Sequence, residues 1–183
     1  MSNDAVIAVV RALRESGIDY MLVGSYSSNY YGIARATRDA DFVVQADPAT
    51  VLAALRGLGS PFILEPQLSF ETVTCTTRHI LQLENTSFKV EVFYVSDDEH
   101  DRMRFARRVE IESLGTTLYL PTPEDVIITK LRWNEQGARK KDLEDARVVI
   151  SVQGDSLDWN YIESWCAKHA TTQILHELRP RLS

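Results

Sequence analysis

Cysteine is scarce in this chain: Cys75 and Cys166 are the only two in 183 residues, and they lie far apart. Such a pair builds neither a disulfide framework nor a cysteine zinc site, so the fold is expected to stand without either staple. The four histidines, His79, His100, His169 and His176, show no ligand spacing. No apolar run approaches the length of a membrane span, and Met1-Ser2-Asn3-Asp4 lacks the basic start and apolar core of a secretion signal. A cytoplasmic location without membrane contact is therefore expected. Internal repeats and low-complexity tracts are also missing. Basic charge is in deficit, with 20 Lys and Arg against 26 Asp and Glu for a net charge of −6. That balance excludes a surface built to bind nucleic acid over its whole area, because such binding neutralises many phosphates. What is present is an apolar fraction of 44%, on a length that suffices for one compact domain or a domain with a helical appendage.

The most informative stretch runs from Val23 to Val44. Tyr20-Met21-Leu22-Val23 is a short apolar run ending at Gly24-Ser25, and no proline and no further glycine follows before Gly32. A strand, a tight turn and a helix are expected there. The backbone N–H groups at such a junction, the positive end of the helix dipole and the Ser25 hydroxyl suit phosphate oxygens. Asp39 and Asp41 stand two apart at the head of Phe42-Val43-Val44, so on a strand both carboxylates share a face. Two acids sharing a face repel each other. Hard oxygen donors of this kind suit Mg²⁺, which keeps one or two carboxylates and substrate phosphates in its shell.

Gly24-Ser25, the Tyr31-Gly32 step, Arg35-x-Thr37-Arg38 and Asp39-x-Asp41 together resemble the nucleotidyltransferase superfamily, the polymerase-beta-like fold. The likeness is to small bacterial proteins of the AbiEii and kanamycin-nucleotidyltransferase-like groups, some of which are toxins of toxin–antitoxin systems. It extends over roughly residues 18 to 150. The resemblance implies an α+β fold: a mixed β-sheet flanked by helices, with a catalytic domain over residues 1–121 and a helical C-terminal segment over 122–183 packed on it. It also implies transfer of a nucleoside monophosphate from a nucleoside triphosphate to an acceptor hydroxyl, with two Mg²⁺ ions held by Asp39, Asp41 and a third carboxylate. Glu91, in the alternating run Lys89-Val90-Glu91-Val92-Phe93, is the candidate for that third acid, where the family more often carries Asp. Gly24, Ser25, Arg38 and Lys130 are the implied nucleotide-binding residues. The acceptor is left open between an RNA such as tRNA, a protein and a small aminoglycoside-like molecule, and an antitoxin or a second copy of the chain is a conceivable partner. The reading from a different class is a noncatalytic binding or regulatory protein that keeps the fold.

The remaining pattern supplies the frame. Asn3 or Asp4 caps a helix carrying Val6, Val9, Val10 and Leu13, ended by Ser16-Gly17. Asp47-Pro48 opens another, with Val51, Leu52 and Leu55 inward. Residues 70 to 95 are β-rich, with a turn at Glu84 to Ser87, and a helix near Asp98 to Ala106 and a hairpin at Gly115 follow. From Pro123 the pattern is helical, broken around Gly137 and Gly154. Tyr26, Tyr30 and Tyr31 are the expected base-stacking platforms, and Trp133, Trp159 and Trp165 the expected core or interface anchors. Two basic clusters, Arg102 to Arg108 and Arg139 to Lys141, are candidate triphosphate or RNA contacts, and Asp142 and Asp145 share a helix face on which Arg139 or Lys141 pairs with them.

Overall fold

The computed structural model describes residues 2–73, 75–134 and 140–179, and its architecture is α+β. Helix α1 (Ser2–Glu15) forms where the helical spacing predicts it and buries Val6, Val9, Val10 and Leu13. Strand β1 (Asp19–Val23) runs into α2 (Gly24–Tyr31), and β2 (Asp39–Gln45) is followed by α3 (Pro48–Gly57). The carboxylate of Asp47 caps α3 by accepting from the backbone of Thr50 at 3.1 Å, and Pro48 occupies the first turn, where its missing N–H is not needed. Then come β3 (Phe62–Leu64), β4 (Ser69–Glu71), β5 (Thr76–Leu83) and β6 (Lys89–Tyr94), with the β5–β6 reversal at the expected turn. Helix α4 (Glu99–Ala106) and the hairpin β7 (Val109–Ser113) and β8 (Thr116–Leu120) precede α5 (Pro123–Asn134), α6 (Lys140–Gln153), α7 (Trp159–Lys168) and α8 (Thr172–Leu178). A short 3-10 turn over Gly154–Ser156 separates α6 from α7. The break expected at Gly137 lies outside the described residues. No described helix is long and apolar enough to cross a membrane.

The main sheet is mixed, in the order β1-β2-β6-β5-β3, with β4 also on β5. β1 pairs antiparallel with β2, and β2 pairs parallel with β6. Strand β3 was not anticipated, because its three residues sit between Pro61 and Pro66 and offer no periodicity to read.

The two sheet faces do different work. Tyr20, Leu22, Phe42, Val44, Val90 and Val92 point into the large core with α1 and α3, which also takes in the inner residues of α5, α6 and α7. Met21, Val23, Val43 and Phe93 point the other way and are covered by Phe105 of α4 in a second, smaller core. That smaller cover reaches only part of the face. Its other part carries the starts of β2 and β6 and stays open.

Candidate active site

The open part of that face is acidic because of the strand period. Asp39 and Asp41 lie two apart on β2, on the face of Val43. The parallel register sets Asp41 beside Glu91 and Asp39 beside Lys89, so Glu91 joins the two aspartates on one face. On the other flank, Asp41 lies opposite Val23, the residue from which the chain turns into α2. These elements floor a cleft of about 540 Å³, lined also by Gly24, Ser25, Arg78, Phe93, Lys130 and Trp133.

The turn at Gly24 is built for close approach. Its φ of +63° is in the left-handed region, and a Cβ at this position would lie 2.1 Å from Asp41 Oδ2, so only glycine fits. Ser27 and Ser28 brace the turn from inside, their hydroxyls donating to the Gly24 carbonyl at 3.0 and 2.8 Å. No side chain caps the start of α2 at Val23. Its first N–H groups are therefore left to water or to a ligand in the cleft, where a helix start favours an anion.

The three carboxylates are not equivalent. Asp39 accepts from the Thr37 hydroxyl at 2.6 Å. Glu91 is buried and pairs with Lys89 and with Arg78, the latter at 3.4 Å. Asp41 has no hydrogen-bond partner for its carboxylate among the described residues. Burial, reinforced by the charges of Asp39 and Glu91 and only partly opposed by Lys130 and Lys89, pushes it up to about 7. An acid crowded by acids, with oxygen donors on one face, has the donor chemistry of a divalent-cation site, and Asp39, Asp41 and Glu91 fit Mg²⁺.

Behind the turn, charges that sequence spacing could not join meet. Arg35, in the loop after α2, grips Asp145 of α6 through Nε and NH2 at 2.8–3.0 Å, and its NH2 also donates to Ser25 Oγ at 3.3 Å. Lys130 of α5 bridges Asp142 and Asp145 at 2.8 and 2.9 Å. Burial alone would raise Asp145, but the Arg35 hydrogen bonds and Lys130 hold it below the usual carboxylate range. The partners expected for this acidic pair were Arg139 and Lys141. Arg139 lies outside the described residues, and Lys141 is exposed at the cleft mouth with Lys140. Among the described residues, Asp145 takes its partners from two other elements, Arg35 and Lys130, and Lys130 also reaches Asp142.

Other expectations are redistributed. Arg38 is exposed and does not line the cleft; its carbonyl accepts from the Lys89 backbone. Tyr31 is buried against the core edge-on to Tyr30, and neither they nor Tyr26 line the cleft. The aromatic residues of the lining are Phe93, Tyr94 and Trp133, expected on a strand and in packing. In the first basic cluster each arginine has an internal partner: Arg102 with Asp97, Arg104 with Asp101, Arg107 stacked on Tyr161 and Arg108 with Asp19. Lys89 shares the strand face of Glu91 as the alternation predicts, whereas Arg78 reaches Glu91 only through the register of β5 on β6. Cys75 and Cys166 are both free, as the spacing suggested.

Residues 4–182 match a family model described as nucleotidyltransferase of unknown function (DUF6036). No curated protein matches the chain in sequence. Among solved structures, that of ANT(2″)-Ia in complex with adenylyl-2″-tobramycin superposes with a TM-score of 0.65 at 12% identity, over 93% of this chain and 98% of that one. An antigenic nucleotidyltransferase-like protein from Paracoccidioides brasiliensis gives 0.55 at 17% identity, over 97% and 93%. JHP933 from Helicobacter pylori gives 0.51 at 17% identity, over 97% and 88%. At these identities the structural likeness establishes the fold.

Proposed function

The chain belongs to this DUF6036 family of nucleotidyltransferases, and we propose that the Gly24-Asp39-Asp41-Glu91 cleft transfers a nucleoside monophosphate from a nucleoside triphosphate to an acceptor hydroxyl. The observation that carries this reading is the Asp41 carboxylate, without a hydrogen-bond partner among the described residues, packed against the Gly24 turn next to Asp39 and Glu91. A purely structural site gains nothing by crowding three acids.

The residues divide the work by position. The free N–H groups at the start of α2, with Ser25, receive the terminal phosphates, and Lys130 is the cation placed across the cleft from them. Phe93 and Trp133 offer apolar faces for a base. The acceptor oxygen attacks the α-phosphorus, the new phosphoester bond forms as the α–β anhydride breaks, and pyrophosphate leaves. The acceptor proton passes to Glu91 or to water, and Lys89 and Arg78 hold Glu91 in position. Asp39, Asp41 and Glu91 would hold Mg²⁺, which when bound supplies charge stabilisation for the attacking and leaving oxygens. Positioning and electrostatics provide most of the rate in such reactions.

One observation favours the noncatalytic reading: Glu91 is already neutralised by two cations. The discriminating experiment incubates the protein with Mg²⁺, each of four labelled triphosphates, and fractions of cellular RNA, protein and small molecules. Label entering one fraction, and lost in Asp41→Asn, supports transfer and names the acceptor class. No label in any fraction from any triphosphate would favour the binding protein.

A further inference from the structure

Around the start of α4 and the end of α7, residues from distant parts of the chain converge. One donor atom each from Asp98, His100 and His169 lies within 4.8 Å of the other two. Asp98 is the N-cap of α4, His100 sits in its first turn, and His169 is the C-cap of α7. The histidines showed no ligand spacing in sequence because 69 residues separate them; the fold brings their rings to 5.2 Å between centroids. We propose that Asp98, His100 and His169 form a binding site for a zinc-class divalent cation.

The surroundings agree with the chemistry. The Nε2 of His100 lies 3.1 Å from Oδ1 of the fully buried Asp125, which also accepts from the Tyr161 hydroxyl at 2.8 Å and the Thr122 hydroxyl at 3.0 Å. A carboxylate behind one ring nitrogen fixes a histidine with its other nitrogen available, the arrangement that supports metal-ligating imidazoles. The Nδ1 of His169 is buried and has no hydrogen-bond partner among the described residues. His169 ends a ten-residue helix, whose C-terminus favours a cation. Two imidazoles and one carboxylate match zinc or cobalt better than Mg²⁺, with water as a fourth ligand.

Two features oppose the ion. Arg132 forks onto both oxygens of Asp98 at 2.8 and 2.9 Å, and Lys168 lies beside Trp165 near His169. Oδ1 of Asp98 also accepts from the Asp101 backbone N–H at 3.0 Å, but Oδ2 accepts from Arg132 alone among the described residues, so its second lone pair can face an ion. Tetrahedral donors at zinc distances stand about 3.4 Å apart, so donors within 4.8 Å of one another must close by up to about 1.4 Å. The bound ion would tie the start of α4 to the end of α7.

Cobalt provides the test, since four-coordinate Co²⁺ with nitrogen ligands has an intense visible absorption. The full chain, stripped with EDTA, is titrated with Co²⁺ in excess Mg²⁺, beside Asp41→Asn to discount the cleft acids. The expected result is one equivalent of Co²⁺ giving the band, displacement by one equivalent of Zn²⁺, a raised melting temperature with Zn²⁺, and no change in Asp41→Asn. His169→Gln, and Asp98→Asn, which keeps the helix cap, should each weaken binding at least tenfold with an unaltered circular dichroism spectrum. Absence of the band, or unchanged cobalt affinity in both variants, would overturn the site.

Discussion

The Gly24 backbone lies so close to the carboxylate of Asp41 that a methyl group on Gly24 would stand 2.1 Å from Oδ2. The Gly24 turn and the acidic strand are thus packed directly against each other. Gly17 gives the matched control: its φ is +65°, nearly the +63° of Gly24, but a Cβ there would meet nothing within 4 Å. Gly17→Ala should lose only the left-handed backbone cost, about 1 kcal/mol. Gly24→Ala should lose more, about 2–4 kcal/mol in chemical denaturation, together with Mg²⁺-dependent nucleotide binding. Equal losses in the two variants would mean that the turn tolerates a side chain.

Asp41 should make stability fall with rising pH. Its carboxyl is raised from 3.8 to about 7 in the folded protein, so between those values the native state binds more protons than the unfolded state. Stability then declines from pH 4 to pH 7 and stays reduced above it. Asn cannot ionise, so Asp41→Asn should be more stable than the parent by about 1–4 kcal/mol at pH 8 in EDTA, and by almost nothing at pH 4. Denaturation curves at the two pH values measure this, and a gain independent of pH would place its origin elsewhere.

The buried ion pairs behind the turn have the opposite sign. Asp145 is held low by Arg35 and Lys130, so its contribution is present above about pH 4 and lost as the pH falls below it. Asp145→Asn leaves Lys130 and Arg35 short of a counter-charge. Because Arg35 is 33% exposed, solvent moderates the loss to about 1–2 kcal/mol at pH 7. The deficit should shrink by pH 3, and denaturation at both values decides it.

Much of this arrangement was legible from local pattern. The two-residue period of Asp39 and Asp41, the apolar run before Gly24 and the cap at Asp47 are each written within a few residues, and β1, α2, β2 and α3 follow from them. Strand β3 was invisible because three residues between prolines have no period. The partners of Asp145 were misassigned for another reason: Arg35 lies 110 positions away, and helix spacing ranks neighbours on the same helix first. The placement of Glu91 beside Asp41 depends on a parallel register that no single strand encodes. The same holds for His100 and His169, whose meeting needs α4 and α7 to be packed first.

The central claim, that Asp39, Asp41 and Glu91 hold a metal-bound nucleotide under the Gly24 turn, can be measured without knowing the acceptor. Isothermal titration of a nonhydrolysable nucleoside triphosphate into the intact chain, with and without Mg²⁺, reads it directly. Binding should require Mg²⁺, raise the melting temperature, and fall at least tenfold in Asp41→Asn, although that variant is the more stable protein at pH 8. Mg²⁺-independent binding, or binding of undiminished affinity in folded Asp41→Asn, would contradict the account.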